Sequence, residues 1–328
     1  MTNSSSDRPG EFELIAELFA PLAKTAPGAF GLLDDAALLA PSPGQELVVT
    51  VDAVVEGVHF RADDPPGDIA KKALRVNLSD LAAKGAEPCG YLLALVLPKT
   101  RNMAWLRGFA KGLEDDQREF AVPLLGGDTT STPGTLTISI TAFGSVPAGG
   151  MIRRAGAVPG DRVFVSGTVG DAGGGLALLQ GEVGIARSPS LVARYRVPEP
   201  RLALGRELRG IASAGLDVSD GLIADLGHIA EVSAVRIAVE AAAVPRSAPL
   251  RVLWGEGAQG LLRAVTSGDD YELAFTAPEA KRAAVLAAAG RAGVPVTEIG
   301  RVEAGHGVVL LDDAGAEIAV SRAGYTHF

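Results

Sequence analysis

Seven aspartates, Asp34, Asp35, Asp52, Asp80, Asp128, Asp217 and Asp220, stand inside apolar segments or at their ends. A carboxylate is costly to bury unless a cation or hydrogen-bond donors compensate it. In Gly31-Leu-Leu-Asp34-Asp35-Ala-Ala-Leu-Leu39 two of them are adjacent. Alternate side chains of a strand face opposite ways, so an Asp-Asp pair on a strand cannot hide both charges from an apolar core. Taken alone, the pair reads as a polar turn between two short strands. The repetition along the chain changes that reading to a protein that collects divalent cations. Oxygen ligands without a Cys or His set point to magnesium or calcium.

Composition narrows the function classes. The chain has 328 residues, enough for a large core and two domains. It is 47% hydrophobic but only 5% aromatic, so the core is aliphatic. A formal net charge of -9 disfavours a nucleic-acid partner, because phosphate-backbone binding rests on basic patches. It leaves room for a nucleotide held through metal ions. A lone cysteine, Cys89, excludes a disulfide framework and a cysteine zinc site, and reads as a small buried residue. No segment approaches the roughly 18 consecutive apolar residues of a membrane span. The polar first ten residues lack the apolar core of a signal peptide. The expectation is a cytoplasmic protein with no membrane partner.

Periodicity predicts two domains, 11–148 and 149–328, with mixed sheets covered by helices: α+β in the first, α/β in the second. Residues 11–24 read as an amphipathic helix through Phe12, Ile15, Leu18, Phe19 and Leu22, and the stretch from Gly31 as the start of the first sheet. Leu47–Val55 reads as a strand carrying Asp52. Asp68–Lys84 reads as a helix capped by Asp68. On that helix Ile69, Ala73, Val76 and Asp80 share one narrow face, so Asp80 either reaches a cleft or is paired. Gly90–Pro98 reads as a central strand, Trp105–Phe120 as a helix, Val122–Asp128 as a short strand, and Thr135–Phe143 as an alternating strand. In the second half a strand at Arg162–Ser166 leads through the glycine-rich loop 167–175 to a helix at 176–180. Helices follow at 201–212, 222–232 and 278–292. A short strand at Asp217 precedes the second of these, and Asp269-Asp270-Tyr271 stands before another strand. Strands near Val296, Val308 and Ile318 close the chain.

No Walker A sequence, protein-kinase signature, Gly-x-Ser-x-Gly elbow or zinc spacing among the four histidines is present. The loop 167–175 can cradle phosphate at a helix N-terminus, although most such turns are only connections. Many carboxylates, many glycines and no evident nucleophile suggest metal-assisted phosphoryl transfer, in which the protein positions and neutralises rather than forming a covalent bond.

Seven motifs occur in one order: Asp34-Asp35-Ala-Ala, Thr50-Val-Asp52 with Glu56-Gly-Val-His59-Phe60, Asn77-Leu-Ser-Asp80, Gly126-Gly127-Asp128-Thr-Thr, Arg154-Ala-Gly-Ala, Asp217-Val-Ser219-Asp220-Gly-Leu and Gly268-Asp269-Asp-Tyr-Glu-Leu273. Each is weak alone; together, over residues 11–328, the set resembles the thiamine-monophosphate kinases. That family belongs to the superfamily of aminoimidazole ribonucleotide synthetase, selenophosphate synthetase and the carbamoyl-dehydrating hydrogenase maturation factor. The closing Gly324-Tyr325-Thr-His-Phe328 also fits. The resemblance implies direct transfer of the γ-phosphate of ATP to thiamine monophosphate, several Mg²⁺ ions, and a homodimer formed through the N-terminal domain. It implies metal ligation by Asp35, Thr50, Asp52, Asp80, Asp128, Asp217 and Asp220, with Asp34 serving a second ion or holding the loop. Gly127, Asp128, Arg154 and Ser219 take ATP roles. His59 and Asp269 take substrate roles, and Tyr325 is a substitute for the aromatic residue that the family sets against the thiamine ring.

Three departures bear on this. Leu33 stands where the family has glycine, Val51 where it has Thr or Ser, and Asp269 where it has Glu. The alternatives are a superfamily relative acting on another substrate, or a non-catalytic nucleotide- and metal-binding regulator. The absence of any cysteine but Cys89, and the terminal Phe328, favour the kinase over the selenophosphate and carbamoyl enzymes.

Overall fold

The computed structural model describes residues 10–181 and 188–325. The polar residues 1–9 and residues 326–328 of the closing motif lie outside the described residues. The chain divides into two compact units. One comprises the residues up to Leu81 together with Glu87–Ala148; the other comprises Ala82–Ala86 together with the chain from Gly149.

The first unit opens with α1 (Glu11–Leu14), which continues as a π-helical turn over Ile15–Phe19 and a 3-10 turn over Ala20–Ala23. This is not the regular amphipathic helix that the spacing predicts. Pro21 has no N–H and its ring crowds the preceding turn, so the ladder changes step there. Leu18, Phe19 and Leu22 are buried as expected, whereas Phe12 is 83% exposed. Residues 27–32 form a further 3-10 segment and 34–36 a bend, so the Asp34-Asp35 stretch does not begin the sheet.

A four-stranded sheet follows, in the order β1 (Gln45–Val55), β4 (Thr137–Pro147), β2 (Glu87–Pro98), β3 (Leu124–Thr132). Helix α2 (Pro66–Ala83) lies between β1 and β2 in sequence, and α3 (Met103–Phe120) between β2 and β3. Only the β2–β3 pair is parallel. β3 runs on past Asp128 to Thr132, so Gly126-Gly127-Asp128 lies within a strand rather than ending one. Likewise α2 begins at Pro66, a residue suited to the first helical position, which places Asp68 inside the first turn rather than at the cap. Asn102 caps α3, its side chain accepting from the Trp105 amide at 2.9 Å. Cys89, in β2, is half-buried rather than buried.

Strand alternation sorts this sheet into two faces. Leu93, Leu95, Ile138, Ile140 and Ala142 are buried on one, with Leu74 and Leu78 of α2 buried beside them. Each Leu or Ile side chain among them contributes about 1.5–3 kcal/mol on leaving water. A buried ion pair fastens α2 to α3: Arg75 donates to both oxygens of Asp116 at 2.9 and 2.7 Å. Burial pushes the Asp116 carboxyl up by more than Arg75 pulls it down.

The second unit holds a seven-stranded sheet. In chain order its elements are β5 (Asp161–Ser166), α4 (Asp171–Leu179), α5 (Pro189–Arg196), α6 (Leu202–Glu207), β6 (Ala214–Asp217), α7 (Leu222–Ser233), β7 (Arg236–Glu240), α8 (Ala248–Trp254), α9 (Ala258–Thr266), β8 (Leu273–Pro278), α10 (Arg282–Ala292), β9 (Val296–Glu303), β10 (Gly307–Leu311) and β11 (Glu317–Ile318). The sheet order is β11-β10-β7-β9-β5-β8-β6. Strand and helix alternate in sequence, yet only β7–β10 pair in parallel. β7, which the spacing does not predict, is central to the core with Ile237 and Val239. No helix among the described residues is long and apolar enough to cross a membrane.

Replacing Arg75 with Met leaves Asp116 buried without its cation. The expected loss is about 3–5 kcal/mol in unfolding free energy, read from urea unfolding followed by circular dichroism.

Candidate active site

In the first unit the predicted residues fall into two sets, one on each face of the sheet. Thr50 and Asp52 pair across to Ala142 and Ile140, so their side chains share the face of those buried residues. There they meet the C-terminal half of α2. The Thr50 hydroxyl donates to Asp80 Oδ2, and Asn77 Oδ1 accepts from the Asp52 amide at 3.1 Å. Burial, and then the charge of Asp80, push the Asp52 carboxyl up to about 6. Two neighbouring carboxyl groups beside a hydroxyl form an all-oxygen set suited to a hard divalent cation. Asp80 is thus neither a surface charge nor paired with a cation among the described residues.

The opposite face carries Ser139, Thr141 and Phe143, which line a cavity of about 870 Å³. Asp34, Asp35, Gly127 and Asp128 line it too. Ala26, Ala29 and Leu125 pack beneath it, with Leu39 and Phe143. Gly127 is needed because a Cβ there would collide with the Leu93 carbonyl of the neighbouring strand. Asp34 and Asp35 are exposed at the rim. Leu33 has φ -104°, an ordinary value, so glycine is not required at that position. The left-handed backbone occurs earlier, at Phe30, Gly31 and Leu32. Val51 lies opposite Thr141 and is 61% exposed, on the cavity face of the strand. A hydroxyl there could not join Thr50 and Asp52 through its side chain, so Val51 removes no ligand from that set. His59 lies in the turn after β1, and its Nδ1 accepts from the Val55 amide at 3.0 Å, which puts the ring proton of the neutral form on Nε2.

In the second unit β6 ends at Asp217, and the loop 218–221 joins it to α7. One oxygen of buried Asp225 accepts three amides, from Ser219, Asp220 and Gly221, at 3.0, 3.0 and 3.1 Å. These N–H groups are therefore unavailable to phosphate, and Ser219 would have to act through its hydroxyl. Burial, and then Asp220, push Asp225 up to about 7. Asp220, Asp225 and His228 each place a ligand atom within 4.8 Å of the others. Sequence reasoning missed Asp225 and His228; the signal was Asp225-x-x-His228, one helical turn apart just after Asp220.

The same loop gathers two of the three predicted substrate residues, Asp269 and Tyr325. The Asp269 amide donates to the Ser219 carbonyl at 2.8 Å, and the Tyr325 amide to the Asp220 carbonyl at 2.9 Å. Gly268 permits this approach, since a Cβ there would collide with the Ser219 carbonyl. Arg322 donates from Nε to the Gly324 carbonyl at 2.8 Å and so shapes the turn that presents Tyr325. Arg154 is exposed and forms no ion pair among the described residues.

The glycine loop 167–175 turns out differently from the phosphate-cradle reading. Helix α4 already begins at Asp171, so Gly173 to Gly175 are helical. Its N-terminus is occupied from within the unit: the Asp270 carboxylate accepts from the Gly170 and Ala172 amides at 2.5 and 3.2 Å. The Asp270 carboxyl, pushed well up by burial, thus takes the amides that a phosphate would otherwise use.

Comparison with known proteins agrees with this architecture. Residues 33–146 match the family of the AIR synthase related protein, N-terminal domain, and residues 158–313 that of its C-terminal domain. The chain is thus a two-domain protein of the AIR synthase related class. The thiamine-monophosphate kinase of Caulobacter vibrioides is 45% identical over 97% of this chain and 91% of its own length. The crystal structure of the thiamine-monophosphate kinase from Stenotrophomonas maltophilia K279a superposes with a TM-score of 0.83 at 43% identity, covering 92% of this chain and 96% of that one. AaThiL complexed with AMPPCP and TMP gives 0.77 at 31% identity, covering 97% of each chain. The chain belongs to the thiamine-monophosphate kinase family.

The Asp225 clamp makes its own prediction. Asp225→Ala should speed hydrogen exchange of the Ser219, Asp220 and Gly221 amides at least about tenfold, by removing the shared acceptor. Asp225→Asn, whose amide oxygen still accepts, should change it far less. Exchange mass spectrometry or NMR reads the difference.

Proposed function

We propose that the protein transfers the γ-phosphate of ATP to thiamine monophosphate, giving thiamine diphosphate and ADP, in the cytoplasm. The observation that carries this reading is the full-length likeness to a kinase of the family complexed with AMPPCP, an ATP analogue, and TMP. The oxygen-donor sets described above support it. Thr50, Asp52 and Asp80, with Asp34, Asp35 and Asp128 on the other sheet face, and Asp217 and Asp220 in the second unit, are the Mg²⁺ ligands of the proposal. Bound Mg²⁺ offsets the charge of two phosphate groups that would otherwise repel each other.

The chain's own residues do the positioning. Gly127 keeps the strand bare, so that phosphate oxygens can approach the backbone. Arg154 offers a planar fork of donors to phosphate. The Ser219 hydroxyl supplies a neutral donor beside Asp220. His59, Asp269 and Tyr325 bind thiamine monophosphate, Tyr325 through its exposed ring. Transfer is in line and direct: the acceptor phosphate oxygen attacks the γ-phosphorus as the bond to the β-phosphate oxygen breaks. No enzyme nucleophile takes part.

A homodimer completes the reading. Val49 and Val51, on the cavity face of edge strand β1, are 57% and 61% exposed, and Leu47 lies exposed beside them. An apolar row on an edge strand is a liability for a monomer, and a second copy would cover it.

Purified protein with ATP, Mg²⁺ and thiamine monophosphate should form thiamine diphosphate and ADP in equal amounts; folded protein that forms neither refutes the proposal. A regulator would bind ATP and release no ADP. Asp80→Asn should lower kcat at least about 100-fold with the fold intact by circular dichroism. It also removes the charge that raises Asp52, so metal-free stability at neutral pH should hold or rise. Val51→Lys should move the protein toward monomer in sedimentation velocity.

A further inference from the structure

Four consecutive residues, Asp269 to Glu272, divide between two tasks. Asp269 and Tyr271 have left-handed backbone, with φ of +69° and +52°. That region is unfavourable for residues with a Cβ and persists only where the surroundings over-determine it. Asp270 and Glu272 alternate with them and are almost wholly buried.

The surroundings that hold this conformation can be traced bond by bond. The Tyr271 amide donates to the Val218 carbonyl at 2.8 Å, and the Asp269 amide to Ser219 in the same way. The Asp270 carboxylate is anchored on the N-terminus of α4. Glu272 accepts from Ser166 Oγ at 2.5 Å and from the Arg201 Nε and Nη2 atoms at 2.7 and 2.5 Å. Arg194, on α5, does something Arg201 does not. Its Nη2 donates at 2.8 Å to Glu272 Oε1 and at 2.8 Å to the backbone carbonyl of Asp270. One guanidinium nitrogen therefore ties the peptide between Asp270 and Tyr271 to the buried carboxylate two residues on. That peptide is flanked by the left-handed Tyr271 and lies one residue from Asp269.

We propose that Arg194 is a positioning residue for the thiamine-monophosphate end of the reaction: by bridging the Asp270 carbonyl and Glu272 it fixes the strained turn that presents Asp269. The proposal rests on the reading of Asp269 as a substrate contact. Arg194 itself need not touch substrate. Arg rather than Lys fits the task, because a planar fork holds two acceptors in set directions while an ammonium on a flexible stem does not. The competing account is that Arg194 and Arg201 are two equivalent cations neutralising one buried carboxylate. It predicts that the two arginines behave alike and that each affects stability only.

The test is steady-state kinetics of the full chain, varying thiamine monophosphate at saturating ATP and then the reverse. Arg194→Lys should raise KM for thiamine monophosphate at least about fivefold, since small misplacements of a positioning group are felt strongly. KM for ATP should stay within about twofold. Arg201→Lys, which leaves the Asp270 carbonyl bond in place, should lower Tm without moving either KM. In the Asp269→Ala background Arg194→Lys should add no further loss in kcat/KM, because its effect passes through Asp269. Equal effects of the two arginine variants on both KM values overturn the proposal, as does a full further loss in the double variant. If Asp269→Ala alone leaves KM for thiamine monophosphate unchanged, the substrate reading of Asp269 fails, and the proposal with it. If Arg194→Lys does not fold, Glu272→Gln weakens the same bridge without altering its shape, and an unchanged KM for thiamine monophosphate there also overturns the proposal.

Discussion

A carboxylate removed from water must be met by a cation or by hydrogen-bond donors, and both units are arranged around that requirement. Asp116 is met by Arg75, Asp225 by three backbone amides, Asp270 by the start of α4, and Glu272 by two arginines and a serine. These compensated carboxylates are structural. Asp52 and Asp80 differ. Burial and Asp80 raise Asp52 much as burial and Asp220 raise Asp225, but in place of three backbone amides this pair has the Thr50 hydroxyl, which donates to Asp80, while Asn77 accepts from the Asp52 amide and offers the carboxylates nothing. Charge left uncompensated by the fold is what a cation-binding site requires, and the contrast separates the two kinds of aspartate in the same chain.

The compensated carboxylates hold the others in place. Asp225 gathers the loop carrying Ser219 and Asp220. The carbonyls of that loop then receive the amides of Asp269 and Tyr325. Residues far apart in sequence come together through backbone bonds that carry no side-chain signature. In the first unit the sheet does the same work differently: a period of two places Thr50 and Asp52 on one face, and Ser139 and Thr141 on the face where Asp34, Asp35 and Asp128 line the cavity.

Much of the fold was legible where periodicity was strong. Helices α2, α3 and α7, and strands β1, β2 and β4, lie close to their predicted places because burial of one face dictates spacing directly. Legibility failed where a local rule competed with that spacing. Pro21 broke the first helix into π and 3-10 turns. The glycines after β5 looked like a loop, yet they form the first turns of α4, because Asp270, about a hundred residues away in the chain, supplies the cap. Only backbone angles show that Leu33 needs no glycine, and only strand facing shows that Val51 points away from Thr50 and Asp52.

By itself the sequence determined the chemistry on offer: oxygen ligands in excess, no thiol or zinc set, an aliphatic core, and seven ordered motifs that resemble one kinase family. Residue type and order suffice for that, since ligand hardness and hydrophobic period are local properties. Tertiary structure decided which aspartates are compensated, which face of the sheet each occupies, and that Asp225, His228 and Arg194 stand beside the predicted residues. Those are outcomes of long-range packing, where a donor from a distant element decides whether a carboxylate serves the fold or remains available to a ligand.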